Sequence, residues 1–230
     1  MSAALDGLDN PFWSCLATRH AQFALGGALA RRYPPDMSPI AALSGDAPEH
    51  VEALEALVGV GDDFGVLGPF VPKLGREWET VLDSEATQML RVDRSPLSEP
   101  EADVAILGPD DTAQMLALVD LTRPGPFRRR TIELGRFVGI REGGRLVAMA
   151  GERSWIGDCR EVSGVCTHPD AQGRGYARAL IARVVNRMLR AGETPFLHAE
   201  VVNARAIALY ESLGFVERRR FPLFAATRVE

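Results

Sequence analysis

Cysteine is scarce in this chain of 230 residues: Cys15, Cys159 and Cys166 are the only three, at no paired spacing. An odd number of thiols without an export signal excludes a disulfide scaffold and implies reduced thiols. Histidine is nearly as scarce. His20, His50, His168 and His198 are scattered, and none stands from a cysteine or carboxylate at the spacing zinc sites use, so no metal is expected. Long apolar runs are missing as well: nothing approaches the roughly 18 uninterrupted residues of a membrane helix, so no membrane partner is expected. The opening MSAALDGLDNPFW has acidic residues but no basic n-region or apolar h-region, so it does not resemble a secretory signal and a cytoplasmic location is expected. A basic excess is also lacking. The net charge of −5 argues against nucleic acid as a partner, because neutralising phosphates needs a basic face.

What is present is an ordinary globular composition, 46% hydrophobic and 25% charged, on a chain long enough for one large domain or two small ones. The stretch RSPLSEPEAD at 94–103 has no apolar periodicity and reads as a linker or crossing, dividing the chain into residues 1–97 and 98–230. The first part offers a helix at 48–60, a strand around FGVLGPFV and further α/β structure through Val92, with no chemical motif. Two arginine runs, FRRRT at 127–131 and ERRRF at 217–221, either meet an anionic ligand or form solvated surface.

The second part reads more clearly. ADVAILG predicts a strand, and Pro109, Asp110 and Asp111 suit the first turn of a helix running to about Leu121. Residues 136–152 alternate around Glu142, Gly143 and Gly144, a β-hairpin signal. A strand over Cys159–Thr167, a helix from Gly175 to Ala191, a strand at PFLHAEV, a helix from Ala204 to Leu213 and two closing strands complete an α+β order.

Between strand and helix lies VCTHPDAQGRGYAR. The first N–H groups of a helix lack partners and carry the positive end of its dipole, so they favour an anion wherever nothing blocks its approach. Gly173 and Gly175 remove the obstruction, Gln172 and Arg174 add polar groups at the rim, and Arg178 sits one turn in. A tight turn with close helix packing accounts for two glycines equally well. No Lys-Ser/Thr pair follows them as in a P-loop, and GRGYAR lacks the third glycine of a dinucleotide fingerprint.

QGRGYA at 172–177 resembles the Q/R-x-x-G-x-G/A signature of the GNAT superfamily of acetyl-CoA-dependent N-acetyltransferases. GVCTHPD upstream is similar to that family's splayed strand and Pro turn. NARAIALYESLGF at 203–215 is similar to its N-x-x-A-x-x-L-Y-x-x-x-G-F segment. The resemblance covers about residues 103–230. It implies a mixed, mostly antiparallel sheet flanked by helices, with a smaller α/β N-terminal subdomain that resembles a worn copy of the same unit. Two-part acyltransferases of the glycine N-acyltransferase type are the closer likeness, and the FR47-type label used for some members is not needed.

The resemblance also implies roles. The amides of Gly173, Arg174, Gly175, Tyr176 and Ala177 would bind the CoA diphosphate beside Gln172 and Arg178. Val165 N–H would reach the acetyl carbonyl, with Cys166 next to it and Thr167 pairing with pantetheine like an added strand. Tyr210 would protonate the departing thiolate, its ordinary pKa of about 10 keeping it a donor at neutral pH. Its competing reading is a core tyrosine. Asn203, two helical turns away on the same face, would bond pantetheine or cap the helix. Glu161, four residues before Val165, stands where several members carry a base, and reads equally as an exposed strand residue. Glu133 and Glu152 are weaker candidates for that role.

Cys166 lacks a histidine placed to deprotonate it, so direct transfer is expected over an acyl-cysteine intermediate. The acceptor is expected to be a primary amine of a small molecule, amino acid or peptide. The rival reading is a non-catalytic acyl-CoA sensor. Acceptor recognition falls to loops such as DLTRPGPFRRRT at 120–131, and the first part of the chain stands either as a wall of that site or as the surface of a homodimer.

Overall fold

The computed structural model describes residues 3–229. The first part contains α1 (Ala3–Asp6), α2 (Pro11–Ala17), β1 (Leu25–Gly26), β2 (Ala30–Arg32), β3 (Ile40–Leu43), α3 (Pro48–Glu55), β4 (Asp63–Leu67) and β5 (Trp78–Leu90). The second contains β6 (Val104–Leu107), α4 (Thr112–Thr122), β7 (Phe137–Glu142), β8 (Arg145–Ile156) and β9 (Cys159–Thr167). It continues through α5 (Tyr176–Arg190), β10 (Thr194–Glu200), α6 (Ala204–Ser212) and β11 (Val216–Arg228).

Local chemistry explains most of these limits. Gly143 (φ +56°) and Gly144 (φ +83°) make the two-residue turn between β7 and β8, as their left-handed conformations require. Pro48 opens α3 at a position that needs no N–H. In α5 the stripe Leu180, Ile181, Val184, Val185 and Met188 is fully buried, while Arg187 and Arg190 occupy the last turn, where cations suit the helix dipole.

All the strands join one 11-stranded sheet in the order β1-β2-β3-β4-β11-β5-β10-β9-β8-β7-β6. Among the described residues, only β3 with β4 and β9 with β10 pair in parallel. Alternation sends successive side chains to opposite faces. In β3, Ile40 and Ala42 pack in the cluster of Phe12 and Leu16 from α2, whereas Ala41 and Leu43 join that of Leu54 from α3. Farther along, Met149 packs with Met115 and Leu118 of α4, and Ala148 and Ala150 with Leu180 and Ile181 of α5.

Two expectations are corrected by this topology. The two closing strands are a single strand, β11, which passes through register shifts at Glu217/Arg219 and Ala225/Ala226; such bulges bend a strand without ending its pairing. The two parts of the chain also interleave. β11 of the second lies between β4 and β5 of the first, so hydrogen bonding runs unbroken across the division at 97/98. No helix among the described residues is long and apolar enough to cross a membrane.

The crossing segment is tied down by polar side chains. Asn186 on α5 accepts the Leu97 N–H at 2.7 Å and donates to the Leu97 carbonyl at 2.9 Å and to Glu99 Oε1 at 2.8 Å. Arg91, only 3% exposed, donates from Nε to the Leu213 carbonyl and from Nη2 to the Ser95 carbonyl. Replacing Asn186 by Ala removes the partners of the half-buried Leu97 N–H and carbonyl, and the expected loss is about 0.5–1.5 kcal/mol. It should be read from the denaturant midpoint at unchanged slope; an unaltered midpoint would show that the crossing contributes nothing.

Candidate active site

Strands β9 and β10 pair only from Thr194↔Cys159 to Phe196↔Glu161. Beyond that point β10 follows β5 as far as Glu200↔Ala86, and β9 follows β8 to Thr167, so the two strands part. The backbone of β9 shows why. Its register with β8 jumps between Gly151↔Ser163 and Met149↔Cys166, and within the bulge Gly164 has φ +62°. A Cβ there would also sit 3.2 Å from Cε1 of Phe137, so two constraints select glycine.

The divergence opens a cavity of about 1100 Å³. Val162–Val165 line one side, His198–Glu200 the other, and Asn203 at the cap of α6 with Ala206 and Tyr210 within it close it. Residues 63–67 and 223–225 line it too, as do residues 119–120 and 123–128, so residues of the first part of the chain form one wall of the cavity.

At the edge of β9, His168 donates its N–H to the Val147 carbonyl at 2.7 Å. By the alternation of an antiparallel ladder, the N–H and carbonyl of Thr167 then face the open edge. Thr167 Oγ1 is buried without a hydrogen-bond partner among the described residues. Cys166 points away into the cluster around α4, and burial pushes its thiol up to about 11. A protonated thiol in such surroundings is no nucleophile.

Past Thr167, the 3₁₀ turn Pro169–Ala171 leads to Gly173 (φ +78°) and Gly175 (φ +79°), and α5 begins at Tyr176. A Cβ on either glycine would meet nothing within 4 Å, so their backbone borders open space. No described residue accepts a hydrogen bond from the N–H groups of Gly173, Arg174, Gly175, Tyr176, Ala177 or Arg178; the first partnered one is Ala179, to the Gly175 carbonyl at 3.0 Å. The nearby side chains frame this row. Gln172 Oε1 accepts from Arg205 at 2.8 Å, Arg174 and the Tyr176 hydroxyl both reach Glu142 Oε1, at 2.7 and 2.6 Å, and Arg178 donates to Ser212 Oγ at 2.7 Å.

On α6, Asn203 Oδ1 accepts the Ala206 N–H at 3.1 Å, the helix-capping arrangement. Tyr210 is 9% exposed and lines the cavity, and burial pushes its phenol up to about 12. Its hydroxyl has no hydrogen-bond partner among the described residues, unlike a core tyrosine satisfied from within.

Glu161 is neither exposed nor free. At 0% exposure, it receives Arg153 Nε at 3.0 Å and Nη2 at 2.6 Å, Ser154 Oγ at 2.6 Å and His198 Nδ1 at 2.8 Å. Burial raises its carboxyl pKa, but the Arg153 charge and the hydrogen bonds from His198 and Arg153 prevail and hold it well below the usual carboxylate range. The order continues outward. Gln88 accepts from Arg218 at 3.0 Å through Oε1, so its amide N–H is directed to His198 Nε2 at 3.1 Å, which assigns His198 the Nδ1–H tautomer. Phe12 stacks beneath the Arg153 guanidinium at 5.0 Å.

The other two candidate carboxylates are likewise engaged. Glu133 pairs with Arg130 at 2.8 Å on the surface, and Glu152 is buried against Arg187 at 2.7 Å, burial raising its pKa. The first arginine run is bound to acidic neighbours, Arg128 to Asp63 at 2.5 Å and Arg129 and Arg130 to Asp36 at 3.4 Å. In the second, Arg218 and Arg219 both reach Asp9. Arg153, His198 and Gln88 were not foreseen. Their one sequence signal is a polar residue inside an otherwise apolar strand, and it does not say what pairs with it.

Residues 137–222 match the family described as FR47-like protein, the label set aside on sequence alone. A solved structure described as a GNAT-family acetyltransferase from Novosphingobium aromaticivorans DSM 12444 is 35% identical. It superposes with a TM-score of 0.87, covering 96% of this chain and 98% of that one. The GCN5-related N-acetyltransferase from Kribbella flavida shares the fold, with a TM-score of 0.63 at 15% identity over 100% of this chain and 97% of that one. The [ribosomal protein bS18]-alanine N-acetyltransferase of Escherichia coli (strain K12) is 43% identical over 54 residues, 23% of this chain. That match spans about a third of the relative, 36% of its length. The chain belongs to the GNAT family of acetyltransferases, and it is an acyltransferase enzyme of α+β fold.

The environment of Glu161 carries a prediction. Glu161→Gln leaves the Arg153 charge buried without its partner, at an expected cost of about 3–5 kcal/mol at pH 7. Because Glu161 titrates lower in the folded state than its unfolded value of about 4.3, its contribution is whole above that pH and lost as the pH falls below it. Thermal unfolding from pH 7 to pH 3 should show the two proteins converging on the acid side; a constant gap would contradict the pairing.

Proposed function

We propose that the protein transfers an acetyl group from acetyl-CoA directly to a primary amine of a small molecule, amino acid or peptide. The carrying observation is the row of unpartnered N–H groups from Gly173 to Arg178 at the start of α5, unobstructed by any Cβ at Gly173 or Gly175. Those residues fit a diphosphate: the donors converge at the positive end of a 15-residue helix, and Arg174, Arg178 and Gln172 stand around them. The pantetheine arm then lies along the open edge of β9. Thr167 pairs with its amide, Cys166 turns inward, and the N–H of Val165, two residues back on that edge, polarises the thioester carbonyl.

In the reaction, the neutral amine attacks the carbonyl carbon, the C–S bond breaks, and the Tyr210 hydroxyl gives its proton to the departing thiolate. The amine's proton leaves to water in the cavity. A phenol raised to about 12 remains a proton donor throughout the neutral range. Asn203 holds α6 in place by capping it. Glu161, with its oxygens already taken by Arg153, Ser154 and His198, positions the vertex of the strand split and does not take the amine's proton. The Escherichia coli relative is named for acetylating the alanine of a ribosomal protein, which supports an amine acceptor in general terms.

Two variants test this reading. Tyr210→Phe should lower kcat about a hundredfold while the calorimetric Kd for CoA stays within twofold, within the range ascribed to a general acid; unchanged turnover would remove the assigned acid. The wild-type rate should show no descending limb below pH 10, since Tyr210 keeps its proton there. Gly175→Val puts a branched side chain at φ +79° in the diphosphate's approach, and CoA affinity should fall at least about tenfold. Equal CoA binding by this variant would move the diphosphate elsewhere.

A further inference from the structure

A guanidinium has five N–H donors, and its planar edges each match one carboxylate. Arg153 gives one edge, Nε with one N–H of Nη2, to Glu161. The next edge, Nη1 with the remaining N–H of Nη2, has no partner among the described residues. Arg153 is only 9% exposed, and it lines the cavity that the strand split opens. Glu161 on one edge and Phe12 stacked at 5.0 Å hold the group rigid, so little freedom is left to lose when a ligand arrives. A donor edge this buried and this well fixed favours an oxygen ligand, and a carboxylate matches it at two points.

The rest of the cavity lining distinguishes kinds of carboxylate. Arg123, exposed at the end of α4, makes no side-chain hydrogen bond or ion pair with the described residues, nor do the exposed carboxylates Asp120 and Glu200. Arg128 is committed to Asp63. Unspent groups of both signs therefore face one space. A small molecule carrying an ammonium and a carboxylate complements both, whereas a simple anion would meet Asp120 and Glu200, and a polyamine would meet the two arginines.

We propose that the free edge of Arg153 binds the carboxylate of the acceptor, so that the acceptors are small amines bearing a carboxylate, such as free amino acids. This rests on the acyl-transfer reading and assigns its acceptor side. Arg153 is a binding residue here, and Glu161 is the group that aims it.

The test uses the full-length protein, acetyl-CoA, the common L-amino acids and their matching amides, with thiol release as the readout. At least one amino acid should be acetylated with kcat/KM about ten- to a hundredfold above its amide, the difference lying in KM, as expected for a hydrogen-bonded charged pair. Arg153→Lys keeps a charge for Glu161. It should raise the KM of that amino acid about tenfold, bring the acid-to-amide ratio towards one and leave the calorimetric Kd for CoA unaltered. Amides or peptide N-termini used as well as free acids, or discrimination that survives in Arg153→Lys, would overturn the assignment. Should Arg153→Lys fail to fold, the wild-type acid-to-amide ratio decides alone. If no amine is acetylated, the transfer reading fails by itself, and the carboxylate site is judged by thermal shift with the same amino acids and amides without acetyl-CoA. A larger shift from an acid than from its amide supports the site, and equal or absent shifts reject it.

Discussion

The molecule depends on two strands ceasing to pair. Once β9 and β10 part after Glu161↔Phe196, the sheet has an internal edge, and main-chain groups that a neighbouring strand would consume stay available. Both strands remain anchored on their outer sides, β9 to β8 and β10 to β5, so the opening is held rather than frayed. The strain falls on Gly164, the one residue of β9 with positive φ. In sequence the opened edge of β9 runs through the Pro169–Ala171 turn to the start of α5, so the exposed strand edge and the unpartnered helix amides are separated by one short turn.

At the vertex of that split lies a buried ionic cluster, with Glu161 at 0% and Arg153 at 9% exposure. Removing Glu161 and Arg153 from solvent is costly, and their attraction offsets the cost only because every oxygen of Glu161 is hydrogen-bonded. The order Arg218, Gln88, His198, Glu161, Arg153 connects β11, β5, β10, β9 and β8 side by side. It therefore joins strands from both parts of the chain at the point where pairing is lost. The two arginine runs are spent on similar joining, Arg128, Arg129 and Arg130 against Asp63 and Asp36, and Arg218 and Arg219 against Asp9. Their clustering in sequence reflects the seam between the parts of the chain rather than a common ligand.

Much of the local order was legible beforehand. The strand read at 159–167 is β9, the helix read from Gly175 to Ala191 is α5 within a residue at each end, and the helix read from Ala204 to Leu213 is α6 within one. These boundaries are set by neighbours in sequence: Pro169 after the strand, the two glycines before α5, Asn203 capping α6. The split at residue 98 was read from composition, and composition does not record that β11 returns to lie between β4 and β5. For Glu161, the sequence left exposed strand residue and base both open, since its three donors come from positions 153, 154 and 198 and two of those lie across a hairpin.

The sequence by itself determined the elements of the second part, the glycine turn and the family signature, because turns, caps and helix stripes depend on residues within a few positions of one another. Only the tertiary structure decided which groups stay unspent: the Gly173–Arg178 amides, the Tyr210 hydroxyl and one edge of Arg153. Whether a donor is free depends on everything packed around it, and those neighbours are brought together by strand pairing between distant parts of the chain.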